Sequence, residues 1–257
     1  MADGDGRATS FGAIAGEYDR LRPRPAEEAV RWLVPPGCRV AVDLGAGTGL
    51  LTRALARLSA RVVAIEPDPR MAAVLRQRSS GARVVQGRGE AIPVADASAD
   101  AVFVSSAWHW LDPDRAVPEI ARVLRDRGRL GVISTGADRE AGWLREFGRL
   151  LTAAAQGSGA NGGQSQRPRH PRGFGLPAAA PFSSIENAVF RFTSPMTVSD
   201  FVAMLGTYST LITASPQDRE TGLSRVLALL EERFPGAREI GVPMRSECAR
   251  VSREPGR

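Results

Sequence analysis

The stretch that decides the fold is AVDLGAGTGLLTRAL, residues 41–55. An apolar run reaches Asp43, three glycines follow at Gly45, Gly47 and Gly49, and a segment rich in leucine and alanine comes next. Glycine adopts positive φ and lets a ligand approach the backbone without a Cβ in the way. The first amides of a helix are unpaired and carry partial positive charge. The stretch therefore predicts a strand, a tight turn and a helix that bind a ligand at the carboxyl end of the strand.

The spacing of the glycines indicates which ligand. A dinucleotide fingerprint, G-x-G-x-x-G, would need its third glycine at Leu50, whereas this loop reads G-x-G-x-G. The carboxylate of Asp43 would repel a pyrophosphate but suits a ligand with an amino group and no phosphate. S-adenosylmethionine (SAM) has both properties. The alternative for Asp43 is a structural acid that caps the loop.

A second acid is expected at the tip of the neighbouring strand, AIEPDP, where Glu66 would accept hydrogen bonds from two ribose hydroxyls. This feature alone does not separate SAM from NAD. The alternative is an acid favoured by the dipole at a helix N-terminus.

Strand-like and helix-like segments alternate through the middle of the chain, which predicts βαβ units and a parallel sheet. The predicted helices include one that Asp68 caps, one from Pro113 to about Arg125 and one that begins near Asp138. The final strand is expected to be interrupted near Pro243.

The amino-acid composition limits which partners, metal sites and cellular locations are expected. The net charge of +6 comes from arginine alone, and the arginines are spread among acids, which favours a solvated surface over a nucleic-acid footprint. Cys38 and Cys248 form no disulfide framework or metal spacing, and the chain has only two histidines, so no metal site is expected. We expect no membrane span and no secretory signal, and hence a cytoplasmic protein.

The motifs DLGAGTG, IEPDP, GRGEAIPVADASADAVFVSSAWHWLD and ARVLRDRGRL together resemble the class I SAM-dependent methyltransferases. More narrowly, they are similar to the type 11, trans-aconitate methyltransferase-like branch that acts on small molecules. The clear match runs from about Phe11 to Thr135. The resemblance implies an α/β, Rossmann-like, doubly wound fold: a mostly parallel seven-stranded sheet, its last strand antiparallel, with helical lid elements. It also implies methyl transfer from SAM to an oxygen, nitrogen, carboxylate or carbon of a small molecule.

On this resemblance the chain divides into four parts. Residues 1–36 form N-terminal lid helices and residues 37–155 the SAM-binding Rossmann-like core. Residues 156–181, rich in Gly, Ser, Gln and Pro, form a flexible loop. Residues 182–257 supply strands and helices that complete the sheet and cover the substrate site.

The resemblance also implies the site residues. The segment GRGEAIP would pass beside the adenine, although Arg88 stands where related enzymes often have an acid. The expected cofactor contacts are Tyr18, Asp43, Gly45, Ala46, Gly47, Gly49, Glu66, Pro67, Gly89, Glu90 and Ser105.

The reacting side would be shaped by Trp108, His109 and Trp110, together with Tyr18 of the lid. His109 is the candidate catalytic base, since imidazole titrates near neutrality. The alternative is a histidine that holds its loop by a hydrogen bond, and for Tyr18 an aromatic that packs a lid helix.

Three other functions are weighed against this one. An RNA methyltransferase predicts arginines grouped on one face, and a SAM-binding regulatory protein predicts binding without turnover. A nicotinamide dehydrogenase is disfavoured by the missing third glycine and by the absence of lysine.

Overall fold

The computed structural model describes residues 14–145, 171, 173–206 and 216–255. One seven-stranded sheet runs through these residues in the order β3-β2-β1-β4-β5-β7-β6. The first five strands are parallel, and β7 lies antiparallel between β5 and β6. This confirms the predicted sheet. The strands are β1 (Val40–Leu44), β2 (Arg61–Ile65), β3 (Ala82–Val85), β4 (Ala99–Ser105), β5 (Leu124–Ala137), β6 (Glu186–Thr197) and β7 (Glu239–Ser252).

Two helices of the core begin as their sequences predict. Asp68 accepts a hydrogen bond from the amide of Arg70 at 2.8 Å, and Asp112 accepts one from Asp114 at 3.1 Å. A proline follows each cap, as is favoured at the first helical position. The helices are α1 (Ala15–Leu21), α2 (Glu27–Leu33), α3 (Leu50–Leu55), α4 (Pro69–Arg78), α5 (Pro113–Val123), α6 (Val198–Gly206) and α7 (Pro216–Arg233), with a 3₁₀ turn at Trp108–Trp110.

The central strands are buried on both faces. Along β1, Val42 belongs to the apolar cluster on one face of the sheet and Ala41 to the cluster on the other face. Because successive side chains of a strand point in opposite directions, a strand buried on both faces is apolar along most of its length. This is why the central strands are apolar without alternation.

The register of the sheet assembles the site. Leu44 at the end of β1 lies opposite Ile65 of β2 and Val104 of β4. The residues that follow these strands therefore meet at one edge of the sheet, and they include Gly45 and Glu66.

The predicted interruption of the last strand is wrong, since β7 runs continuously through Pro243. The carbonyl of Pro243 points toward the β5 side, where it accepts a hydrogen bond from the amide of Asp138 at 2.9 Å. The missing N–H faces the same side, and the β5 ladder has already ended at Ala137, opposite Met244. No ladder bond is lost, so the proline is tolerated.

The helix expected near Asp138 begins later. Strand β5 extends to Ala137, Asp138 lies buried in a turn, and helical residues start only at 142. Arg191 of β6 donates to Asp138 at 3.0 Å, so a contact between distant segments fixes this turn. The rest of that helix and residues 156–170 and 172 of the predicted loop lie outside the described residues.

Among the residues that the structure describes, no helix has the length and apolar character needed to cross a membrane.

Candidate functional site

The glycine loop adopts the conformation that its sequence predicts. Gly45, Gly47 and Gly49 have φ of +67°, +57° and +90°. The amides of Gly45 and Ala46 both donate to the carbonyl of Ile65, at 2.9 and 3.0 Å. The loop is thereby fixed against the end of β2.

The three glycines are needed for different reasons. A β-carbon on Gly49 would lie 2.4 Å from Cδ1 of Leu75, and one on Gly45 would lie 2.8 Å from Cβ of Ala107. Both positions are closed by the protein itself. A β-carbon on Gly47 would meet nothing within 4 Å. The open side of the loop is therefore at Gly47, where a ligand can approach the backbone.

Asp43 lies beneath this loop and is fully buried. Its Oδ2 accepts a 2.6 Å hydrogen bond from the hydroxyl of Thr52, whereas its Oδ1 is buried without a hydrogen-bond partner. Burial raises the pKa of Asp43 to about 7; the bond from Thr52 opposes this rise, and the nearby charge of Glu66 adds to it. Thr52 was not among the residues expected from the sequence, although a hydroxyl on the helix that follows the loop is the signal that could have pointed to it.

Glu66 follows β2 and reaches the open side of the loop. Its side chain accepts hydrogen bonds from the amide of Gly47 at 2.7 Å and from the amide of Asp68 at 2.9 Å, one on each oxygen. Burial raises the pKa of Glu66, and the two amides oppose that rise. Each carboxylate oxygen can accept a second hydrogen bond, so the group is held in place and keeps acceptor capacity for a ligand.

The segment expected beside the adenine is ordered by contacts with the residues after β4. A β-carbon on Gly89 would lie 2.6 Å from Cδ2 of Leu111, so a larger residue there would require the Leu111 side chain to shift. The side chain of Glu90 accepts a hydrogen bond from the amide of Asp112 at 3.0 Å. Glu90 therefore fixes this segment with its carboxylate, and Arg88 is exposed.

The Trp-His-Trp run does not form one wall. Trp108 is only 2% exposed and packs edge-on against Phe174, with ring centroids 4.7 Å apart. His109 and Trp110 are exposed, with their rings 4.7 Å apart. Trp108 thus belongs to the core, and only the other two rings are open to solvent at the edge of the sheet. Ser105, at the end of β4, is half-buried.

The N-terminal helix α1 reaches the same edge. Tyr18 is half-buried, and the guanidinium of Arg22 lies 4.9 Å from the centre of its ring. Asp19 forms an ion pair with Arg53 of α3 at 2.7 Å. Neither Asp19 nor Arg53 was among the site residues expected from the sequence.

These residues fit a cationic ligand that carries hydrogen-bond donors. No ion pair within the described ranges joins Asp43 or Glu66 to an arginine, and Asp43 keeps a buried oxygen without a donor. The hydroxyl of Thr48, in the loop itself, is also buried without a partner. A buried acceptor of this kind is unfavourable unless a bound group or water satisfies it. The open side at Gly47 leaves room for that group.

The family and the relatives that this chain resembles are methyltransferases. A family described as "Methyltransferase domain" matches residues 42–132. An uncharacterized methyltransferase of Mycobacterium bovis is 36% identical over 245 residues, 95% of each chain. The malonyl-[acyl-carrier protein] O-methyltransferase of Methylococcus capsulatus is 37% identical over 139 residues, 49% of this chain and 50% of that one. A solved structure of a candidate type II methyltransferase from Anaeromyxobacter dehalogenans shares the fold, with a TM-score of 0.64 at 24% identity, over 91% of this chain and 99% of that one.

Proposed function

Because this chain belongs to the class I SAM-dependent methyltransferases, we propose that it transfers a methyl group from SAM to a small-molecule acceptor. The observation that carries the proposal is the pair of buried carboxyl groups, Asp43 and Glu66, beside a loop that is open only at Gly47. A site with two acids and no paired cation suits a ligand that is positively charged and lacks phosphate.

Each part of this site has a separate task in holding the cofactor. Glu66 would accept hydrogen bonds from the ribose hydroxyls, because two backbone amides already fix its oxygens. Asp43 would act on the cationic, methionine end of the ligand through its unpartnered Oδ1. The other cofactor contacts that we propose are Tyr18, Gly45, Ala46, Gly47, Gly49, Pro67, Gly89, Glu90 and Ser105.

The chemistry that bound SAM supplies is an activated methyl group on a positively charged sulfur, which an acceptor displaces in an SN2 step. The protein then has to orient the acceptor, exclude water and manage its proton. We assign the proton to an imidazole nitrogen of His109, which is exposed beside Trp110 at the edge of the sheet. An acceptor that is already a carboxylate would need no base.

We propose that the methyl acceptor is a small molecule rather than RNA. Many arginines are paired with acids, as in the contacts of Arg31 with Glu27 and of Arg250 with Glu186. Paired arginines are poor contacts for phosphates, because a phosphate would have to displace a carboxylate. The likeness of half the chain to a malonyl-[acyl-carrier protein] O-methyltransferase supports testing carboxylate acceptors first. We propose that α1 and the residues after Phe182 select the acceptor.

Calorimetric titration with S-adenosylhomocysteine (SAH), with NAD in parallel, tests the cofactor. We expect SAH to bind with a Kd of about 1 μM and NAD not to bind. Glu66→Gln should weaken SAH binding at least about tenfold. Because its side-chain NH2 group would face one of the two backbone amides that donate to Glu66, a small loss of stability is expected as well. The variant Glu27→Gln, which breaks an exposed pair on α2, is the matched control and should bind as wild type. No binding of SAH, or equal binding of NAD, would contradict the proposal.

Transfer of labelled methyl from SAM to a panel of carboxylic acids, phenols and amines then identifies the acceptor atom. Labelling of RNA in preference to all of these, with an affinity that falls steeply as salt rises, would overturn the small-molecule assignment.

A further inference from the structure

The guanidinium of Arg53 joins two segments that lie far apart in sequence. Its Nη1 donates to the carbonyl of Thr48 in the glycine loop at 2.9 Å, and its Nη2 donates to Oδ1 of Asp19 in α1 at 2.7 Å. Only 19% of the Arg53 side chain and 12% of the Asp19 side chain are exposed. The pair is therefore less screened by solvent than an ordinary surface ion pair.

The guanidinium of Arg53 lies against the glycine loop. A β-carbon on Gly49 would lie 3.4 Å from its Nη1, which is within van der Waals contact. Thr48 lies between Gly47 and Gly49, and the amide of Gly47 donates to Glu66. Fixing the carbonyl of Thr48 therefore restrains the part of the loop that faces the proposed ligand.

Helix α1 needs such a contact to hold its position. It has seven residues and no side-chain N-cap, and an isolated helix of that length is unstable in water. It packs against both α4 and α6. It is joined to α6 by the exposed ion pair of Arg20 with Asp200 at 2.5 Å and by Leu21, which lies in one apolar cluster with Phe201. The partly buried bond from Asp19 to Arg53 is the ion pair that joins α1 to the helix after the glycine loop.

We propose that Arg53 is a positioning residue that ties α1 to the glycine loop, so that cofactor binding at the loop and docking of α1 stabilise each other. This inference rests on the proposed function, since it takes SAM as the ligand of the loop. The coupling has to be reciprocal: if docked α1 strengthens ligand binding, the bound ligand must stabilise docked α1 by the same free energy.

Two variants break the contact in different ways. Asp19→Asn removes the charge but keeps the shape and leaves the bond from Arg53 to Thr48. Arg53→Lys keeps the charge, but its single ammonium group lacks the fork that reaches both partners. We expect each to weaken SAH binding about five- to tenfold, through faster dissociation. The double variant should bind SAH no more weakly than the weaker-binding single variant, because both substitutions remove the same contact.

The matched control is Asp200→Asn, which breaks the exposed pair on the same helix and should leave SAH affinity within about twofold of wild type. Hydrogen exchange of the α1 amides gives a second measure. SAH should slow their exchange in the wild type and much less in Asp19→Asn. If the pair had a purely structural role, Asp19→Asn would speed the exchange of the α1 amides by the same factor with and without SAH.

The outcomes separate this inference from the proposed function. A wild-type protein that does not bind SAH contradicts the proposed function. If the wild type and Asp19→Asn bind SAH equally tightly, only the role of Arg53 is contradicted. Equal losses in Asp200→Asn and Asp19→Asn would also overturn it, since any loosening of α1 would then suffice. If Arg53→Lys fails to fold, Asp19→Asn carries the test alone, with its fold checked by circular dichroism.

Discussion

The hydroxyl of Thr52 donates a 2.6 Å hydrogen bond to Oδ2 of Asp43, and both side chains are fully buried. This is the only side-chain donor to Asp43 within the described residues. An acid in such a place is unfavourable in its charged form unless donors or a cation compensate for the lost water. The pair therefore links the stability of the fold to the hydrogen bond that Thr52 donates.

Removal of this donor tests the link. Thr52→Val should lower the free energy of unfolding by about 1–3 kcal/mol, since it removes the hydroxyl that donates to the buried carboxyl group of Asp43. Thr52→Ser, which keeps the hydroxyl, should retain most of the stability. Urea unfolding of the two variants beside wild type measures the difference. Equal losses in both would show that the methyl group, and not the hydrogen bond, is responsible.

Asp43 should also make stability depend on pH. Its pKa is about 7 in the folded protein and about 3.9 in an unfolded chain. Between these values the folded state binds more protons, so the stability due to Asp43 falls as pH rises from about 4 to about 7. Asp43→Asn stays neutral throughout. Its stability relative to wild type should therefore increase over that pH range, as measured by urea unfolding. A difference that is constant with pH would contradict the shift.

The loop glycines should separate folding from binding. Gly49→Ala should destabilise the fold by at least about 2 kcal/mol, because positive φ and the contact with Leu75 both oppose a side chain. Gly47→Ala has only the strain of positive φ, about 1–2 kcal/mol. It should remain folded but lose SAH affinity, since its methyl group occupies the open side of the loop. Thermal unfolding and calorimetry test both, and normal SAH binding by Gly47→Ala would exclude a ligand there.

The two tryptophans after β4 should behave differently. Trp108→Ala removes a ring packed against Phe174 and should cost about 3–5 kcal/mol of stability. Trp110→Ala, at a position that is 38% exposed, should change stability by less than about 1 kcal/mol. If Trp110 contacts the acceptor, its loss raises the KM for the acceptor and leaves the SAH affinity unchanged. Steady-state kinetics with the identified acceptor decide this.

His109 has a direct kinetic test. For an alcohol or amine acceptor, His109→Gln should lower kcat about a hundredfold and leave the Kd of SAH unchanged, because a base acts on the acceptor and not on the cofactor. An unchanged kcat, accompanied by lower thermal stability, would instead favour a histidine that holds its loop.

Features that depend on local chemistry could be predicted from the sequence. The positive φ of Gly45, Gly47 and Gly49 follows from the residue type, and the cap at Asp68 follows from an acid before a proline. The position of Glu66 beside the loop also follows, because neighbouring parallel strands end at one edge.

Features that depend on segments far apart in the chain could not be predicted from the sequence. Pro243 fits inside β7 because the pairing with β5 ends at the neighbouring residue, Met244, which the residues around the proline do not reveal. Trp108 is buried and Phe174 packs on it, although the sequence placed it with His109 and Trp110 on the reacting side of the site.

By itself the sequence determined that a strand, a glycine turn and a helix follow one another, with Asp43 and Glu66 beside the turn, since backbone preference and strand order require no distant partner. The tertiary structure alone decided that Thr52 satisfies one oxygen of Asp43 and that Arg53 holds Asp19 and Thr48 together. Hydrogen bonds and ion pairs of this kind need atoms within about 3 Å of one another, and only the packed chain brings them that close.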